Sequence, residues 1–317
     1  QHSLDRKVAI KVMRRQLRGN DGGPMPEVER RFLLEGRTMA KLPHRNIVAV
    51  YDLVTRDDVA YISMELLEGG TAVITINRPE KRNALDAEHY QAISEAWIRV
   101  RDDDAIRVAV VTGAGDKVFS AGADLKSWIG RKSALAEMWQ TQRGMLLNRG
   151  LEVWKPVIAA INGHCLAGGM TLMLATDIRV TADHATFALS EVKRGIIAAN
   201  GGTQRLIEQL PHAIAMELLL TGDAIDADTA ARWGLVNRVV PAAQVMDTAL
   251  AYARRIAANA PLAVQAAKEL ALRRSNDGLA TGLRLEQFVN HILRQSTDAV
   301  EGREAFAEKR PPTFTGE

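Results

Sequence analysis

Apolar positions change their spacing repeatedly along this chain, and each change predicts an element. The run "TAVITIN" (71–77) is short, β-rich and alternating, which predicts a strand. Behind Asp86, residues Tyr90, Ile93, Trp97 and Val100 recur at helical spacing. That predicts a helix capped by Asp86, with the whole stripe in the core. "IRVAVVTG" (106–113) and "KPVIAAING" (155–163) are nearly unbroken apolar runs, as expected of strands buried on both faces. A helical stretch is expected from about Lys126 to Trp154, and another from Asp298, with Glu301 closing a capping box. "TDIRVTADHATFALSEV" (176–192) predicts two short strands around a turn, and the remainder reads as mostly helical.

Ahead of Gly69-Gly70 the pattern differs. "KVAIKVMRR" is a short strand bearing Lys11, "NDGGPMPE" a loop, and "EVERRFLLEGRTMAKL" a helix with Glu35 within its apolar side. Two strand-like runs, "NIVAVYDLV" and "VAYISMELL", follow. "VAIK", Glu35, "HRNIVAVYD" and "MELLEGG" resemble the small lobe of a protein kinase from its third strand to its hinge. No glycine-rich loop precedes Lys11, and no catalytic-loop Asp or Asp-Phe-Gly follows, although phosphoryl transfer needs both. Lys11 and Glu35 are either a relic ion pair or solvated surface charges. The chain is therefore divided into a kinase-like segment (1–70), a core (71–255) and a helical C-terminal region (256–317). The last strand before the glycines is expected to pair across them with "TAVITIN" as a hairpin, and residues ahead of about 58 are expected to be trimmed by protease.

Composition narrows the class. The chain has 317 residues, 47% of them hydrophobic, enough for a sizeable core. Formal net charge is only +3, with both signs interspersed, so no nucleic-acid partner is implied. The lone Cys165 fits a reducing compartment. No signal-peptide pattern or bilayer-length apolar run is present, so a soluble cytoplasmic protein without a membrane partner is expected. An opening Gln1 is what a fragment or a trimmed chain would show.

Two stretches carry the chemistry. "FSAGADL" (119–125) and "HCLAGGMTL" (164–172) each follow a buried strand and place small residues before a helix. They are either tight turns that need glycine for geometry alone, or amides at helix starts that converge on one oxygen as an oxyanion hole. They stand in order with "TAVITINRPEKRNALD", "KPVIAAINGHCLAGG", "ATFALSEVKRG", "GGTQRL", "LLLTGDAIDADTAARWGLVNRVVP" and "AFAEKRPPTF". On those motifs the chain, from about Thr71 to Phe314, resembles the crotonase family of enoyl-CoA hydratases and isomerases.

The resemblance implies an α/β fold: a spiral of strand-strand-helix units with a helical C-terminal region that assembles trimers, often paired into hexamers. It implies a coenzyme A thioester substrate and no separate cofactor. The oxyanion hole would be the amides of Ala123 and Gly168. Arg82, Ala84, Ala121, Asp124, Leu125, Lys126 and Gly169 would lie along the CoA. Arg78, Lys81 and Arg82 would reach its nucleotide phosphates, with Lys309 and Arg310 arriving from a neighbouring subunit. "NGGTQRL" would line the acyl side, narrowed here by Ala198-Ala199.

Hydratases of that family carry two glutamates. Glu191 stands at the second position, but Thr171 replaces the first. A hydroxyl cannot hold negative charge near neutral pH, so Glu191 is left as the single acid/base. A surface carboxylate paired with Lys193 or Arg194 is the other reading of Glu191. Thr171 is either an ordinary helix residue bonded back to the preceding turn or a water-positioning group. One carboxylate suffices to shift a double bond, so hydration, isomerisation and hydration followed by cleavage stay open. A non-catalytic fusion, with the kinase-like segment blocking the crotonase domain, is the rival from another class; an ATP-binding kinase is argued against by its missing parts. His164 and Cys165 point to opposite sides of an extended segment and read as packing. The histidines show no metal spacing, so no metal is expected.

Overall fold

A computed structural model of the chain describes residues 61–67, 69–128, 146–274 and 278–317. The kinase-like reading of Lys11 and Glu35, and the proteolytic trimming near residue 58, lie outside them.

The chain enters as β1 (Tyr61–Leu67), turns at the glycines and returns as β2 (Thr71–Asn77), antiparallel with Tyr61 opposite Asn77. Gly69 and Gly70 both have positive φ, at 82° and 76°, which is the conformation a tight hairpin requires. The expected pairing across the glycines is therefore present. The seam drawn at residue 70 is a turn inside a sheet, and the compact unit begins at Ala60. Then come α1 (Ala87–Asp102), β3 (Val108–Gly113), β4 (Val118–Ser120) and α2 (Leu125–Trp128). After them follow β5 (Val157–Ile161), β6 (His164–Leu166), α3 (Gly168–Leu174), β7 (Ile178–Ala182) and β8 (Thr186–Ala188). The helical remainder comprises α4 (Gly202–Gln209), α5 (His212–Thr221), β9 (Ile225–Asp226), α6 (Ala227–Arg232) and β10 (Arg238–Val240). It ends in α7 (Val245–Ala257), α8 (Pro261–Arg273), α9 (Leu279–Leu293) and α10 (Thr297–Glu308).

Strands are dealt alternately to two sheets. One runs β1-β2-β3-β5-β7-β10 and the other β4-β6-β8-β9. From β3 to β8 each successive strand changes sheet, and neighbours within each sheet are parallel over that span. The result is a spiral of strand-strand-helix turns, as expected. The two strands of "TDIRVTADHATFALSEV" are thus not paired with each other: β7 joins β5, and β8 joins β6.

The unbroken apolar runs are fully buried: every residue of β3 and of β5 is inside. One face of the larger sheet, with Val108, Val110, Ile158, Ala160, Val180 and Ala182, packs on α7 through Val245, Ala249, Ala253 and Ala257. Small residues four apart let that helix approach the sheet closely. A domain boundary at 255 therefore falls inside a helix that belongs to the core. Asp86 accepts from the amides of Glu88 and His89 and caps α1 as expected.

Two helix readings need correction. From Leu146 to Trp154 the chain is a short 3-10 turn (Leu147–Arg149) followed by irregular backbone, not the end of a helix begun near Lys126. The cap of α10 is Ser296, whose Oγ accepts from the Ala299 amide at 3.1 Å. Asp298, buried within the first turn, instead accepts from the amides of Thr315 and Gly316 at 2.7 and 2.9 Å and pins the C-terminal tail. Glu301 forks onto Arg310 at 2.6 and 2.8 Å.

Candidate active site

The spiral brings its sheet-to-helix crossings to one edge. β6 lies beside β4 and β8, so the segments leaving all three meet. The amide of Ala167 donates to Ala188 O at 2.8 Å, tying the start of α3 to the end of β8. Ala167 has φ 48° and ψ −121°, a conformation strained for any residue with a Cβ. It turns the chain sharply so that α3 begins against the 121–123 turn.

That approach requires bare backbone. A Cβ on Gly122, whose φ is +83°, would stand 2.4 Å from the Gly168 nitrogen. A Cβ on Gly169 would stand 2.3 Å from Ser120 O. The neighbouring amides are engaged: Leu85 donates to Gly122 O and Asp124 to Leu85 O. Among the described residues, the amides of Ala123 and Gly168 donate to nothing. Two amides without an acceptor among the described residues thus stand on touching turns, one of them at a helix start.

Glu191 lies just beyond β8, in a 3-10 turn (Ser190–Arg194). It is half-buried, and its Oε2 is shielded from solvent with no hydrogen-bond partner among the described residues. Burial pushes the carboxyl above its ordinary value, partly opposed by its own backbone amide and by Arg194. The cations that could have made it a surface ion pair are turned elsewhere: Lys193 pairs with Asp223, and Arg194 donates to Ser190.

Thr171 is buried one turn into α3. Its hydroxyl donates to Gly168 O at 2.9 Å and accepts from Asn148 Nδ2 at 3.1 Å. Those bonds are the back-bonded helix reading, and they make the hydroxyl a brace between α3 and the 147–149 turn. Nothing in the geometry supports the water-positioning alternative.

The residues expected along a CoA divide. Arg78 is not free for phosphate: its Nη1 lies 3.0 Å from Asp124 and 3.3 Å from Asp86, and it donates to Ala84 O. Asp124 is accordingly half of an internal ion pair, and its other oxygen caps the Lys126 amide. Ala84 is buried, and the Ala121 amide donates to Arg82 O. Lys81, Arg82, Leu125 and Lys126 are exposed around this turn. Lys309 closes α10 with an exposed side chain, while Arg310 is held by Glu301 and Glu308. Among the described residues no hydrogen bond or ion pair joins Lys309 to Arg82, Asp124 or Lys126. Cys165 is fully buried, and burial holds its thiol far above the ordinary range, while His164 bonds Thr186 Oγ1 at 2.8 Å. Both are packing, as their opposed directions implied.

The periodicity argument missed a polar cluster beside Glu191. Tyr90, read as core, is only partly buried. Burial raises its phenol above the usual value, with Arg149 opposing that rise and Glu191 adding to it, so both charges lie close to it. Asn148 and Arg149 fall in the stretch read as helix from about Lys126 to Trp154, where no signal in the sequence marks them.

Comparisons with known proteins agree with this fold. The family model described as "Enoyl-CoA hydratase/isomerase" matches residues 67–317. An (E)-benzylidenesuccinyl-CoA hydratase of Thauera aromatica is 42% identical over 245 residues, covering 77% of this chain and 95% of the relative. A carnitinyl-CoA dehydratase of Salmonella paratyphi A is 42% identical over 263 residues, covering 80% and 98%. The solved enoyl-CoA hydratase of Bacillus anthracis superposes with a TM-score of 0.75 at 36% identity, covering 81% of this chain and 99% of that one. That of Mycobacterium tuberculosis H37Rv gives 0.72 at 38%, with the same coverage.

Proposed function

This chain belongs to the enoyl-CoA hydratase/isomerase family and is an enzyme of acyl-CoA thioesters, and from that premise we propose that it adds water to an enoyl-CoA, or removes it, through a thioester enolate. The thioester oxygen lies between the amides of Ala123 and Gly168. As charge develops there, two fixed donors meet it without reorganising, and each is worth ~3 kcal/mol of barrier. In hydration, ionised Glu191 takes a proton from the attacking water while the water oxygen bonds to Cβ. The double-bond electron pair moves through Cα onto the thioester oxygen. The enolate then collapses, and Glu191 returns the proton to Cα.

The observation that carries this reading is the Glu191 oxygen, buried without a partner among the described residues on the turn that leaves β8, the strand whose Ala188 O holds the amide next to the free pair. Its raised affinity for protons suits a group that must both take and return one near neutrality. The relatives named a hydratase and a dehydratase support water addition or removal over other outcomes. Isomerisation is a second reading, favoured by Thr171: one carboxylate can take a proton from Cα of a 3-enoyl thioester and return it at Cγ. Exposed Arg82, Lys126 and Lys309 are available to the phosphates of the CoA.

Assembly into a trimer or hexamer belongs to this reading. α8 and α9 bury no residue in the single chain, and Leu272, Leu279, Leu283, Phe288 and Ile292 are all exposed. Sedimentation as a monomer at micromolar concentration would contradict it. For the chemistry, Glu191→Gln should lower turnover by ~100-fold or more while keeping thioester binding. Full turnover by that variant on every thioester the wild type converts would refute the Glu191 mechanism.

A further inference from the structure

Arg149 follows Asn148, whose side chain is fastened to the helix that begins at Gly168, and among the described residues it has no anion of its own. Its Nε donates to the neutral Asn200 Oδ1 at 2.6 Å, and its guanidinium carbon lies 6.0 Å from the centre of the Tyr90 ring. Among the described residues it takes part in no ion pair, and its two terminal nitrogens donate to nothing. The other arginine nearby, Arg205, is spent on the backbone carbonyls of Asn148 and Asn200. Glu191 does not neutralise Arg149 either: no ion pair joins them, and the cation that lowers the Glu191 titration is Arg194.

The position of Arg149 is built, not incidental. Asn148, next in the chain, is fastened to Thr171 Oγ1, and Thr171 lies one turn from the Gly168 amide. Asn200 opens the glycine turn whose Gly202 packs against the Thr171 methyl group. Both anchors of Arg149 therefore rest on the helix that carries the oxyanion donor. A half-buried guanidinium with a free pair of N–H groups, fixed by one bond and one ring, is organised to receive a planar anion.

We propose that Arg149 selects acyl groups that carry a second carboxylate, so that the thioester is held at one end by the amide pair and at the other by the guanidinium. This rests on reading the site as one for acyl-CoA thioesters. Such an acyl group supplies the charge that the described residues leave unpaired, while a purely aliphatic one would enter beside an unsatisfied cation.

The test uses saturated thioesters, which bind without reacting. Calorimetry would compare succinyl-, glutaryl- and adipyl-CoA with butyryl-, pentanoyl- and hexanoyl-CoA, matched by carbon number, on the full chain. The wild type should bind at least one carboxylate-bearing member about tenfold or more tighter than its neutral match. That ratio should fall to about one in Arg149→Gln and be partly kept in Arg149→Lys. Equal or weaker binding of every carboxylate-bearing member by the wild type would overturn the proposal, as would a preference that survives Arg149→Gln. If thioesters of both kinds bind equally, only the role of Arg149 fails. If none binds, the acyl-CoA reading of the site fails with it.

Discussion

Replacing Gly122 by alanine would place a methyl group where the two turns touch. The new Cβ would lie 2.4 Å from the Gly168 nitrogen and 2.9 Å from its Cα, whereas ordinary contact begins near 3.4 Å. The turns must part by about 1 Å, and a hydrogen bond of ~2.9 Å lengthened by that amount is no longer one. Losing one oxyanion donor costs ~3 kcal/mol, or 10²- to 10³-fold in kcat. A second cost falls on stability: alanine at φ +83° is disfavoured by about 1–2 kcal/mol. For a chain of this size that lowers the melting temperature by roughly 2–8 °C. The assay is therefore double, with kcat on an enoyl-CoA and thermal melting measured on the same preparation. Loss of activity in protein that still melts cooperatively supports the amide pair. A variant that melts lower yet turns over at the wild-type rate would refute the oxyanion role of Gly168.

Other perturbations test the remaining parts. Because burial raises the folded-state affinity of Glu191 for its proton, its contribution favours the fold at low pH and is lost as pH rises through the raised value. Glu191→Gln should then melt above the wild type at neutral pH, and the difference should shrink on acidification; a variant less stable at every pH would contradict this. The same shift predicts that turnover falls on the acid side with an inflection above 4.5, the ordinary value for a glutamate. Ala167→Gly should relieve the positive φ and raise stability by about 1 kcal/mol in denaturant unfolding, and a loss instead would show that the methyl group packs more than it strains. Thr171→Val should cost about 1–2 kcal/mol by leaving Asn148 without its acceptor, while kcat changes less than tenfold. A fall in kcat like that of Glu191→Gln would make the hydroxyl part of the chemistry.

What the sequence determined by itself was local. Strands buried on both faces show as the nearly unbroken apolar runs at 108–113 and 157–161, because each position faces packed side chains and the one polar side chain, Thr112, needs its bond to Ala160 O. The hairpin at Gly69-Gly70 was equally legible, since two positive φ values leave little choice but glycine. Both glycine-bearing turns and Glu191 stood out because their residue types and order carry a family resemblance. Tertiary structure decided which groups are spent and which are free, since that depends on partners distant in sequence. Arg78 and Arg310 look like phosphate ligands in the chain, yet carboxylates at Asp124 and Glu301 hold them. Thr171 looks like a candidate for water, yet Asn148 and Gly168 take its hydroxyl. Arg149 looks like any loop cation, and only the tertiary fold sets it between the Tyr90 ring and Asn200 with no ion-pair partner among the described residues. Periodicity reports which way a side chain faces; it carries no record of what stands opposite.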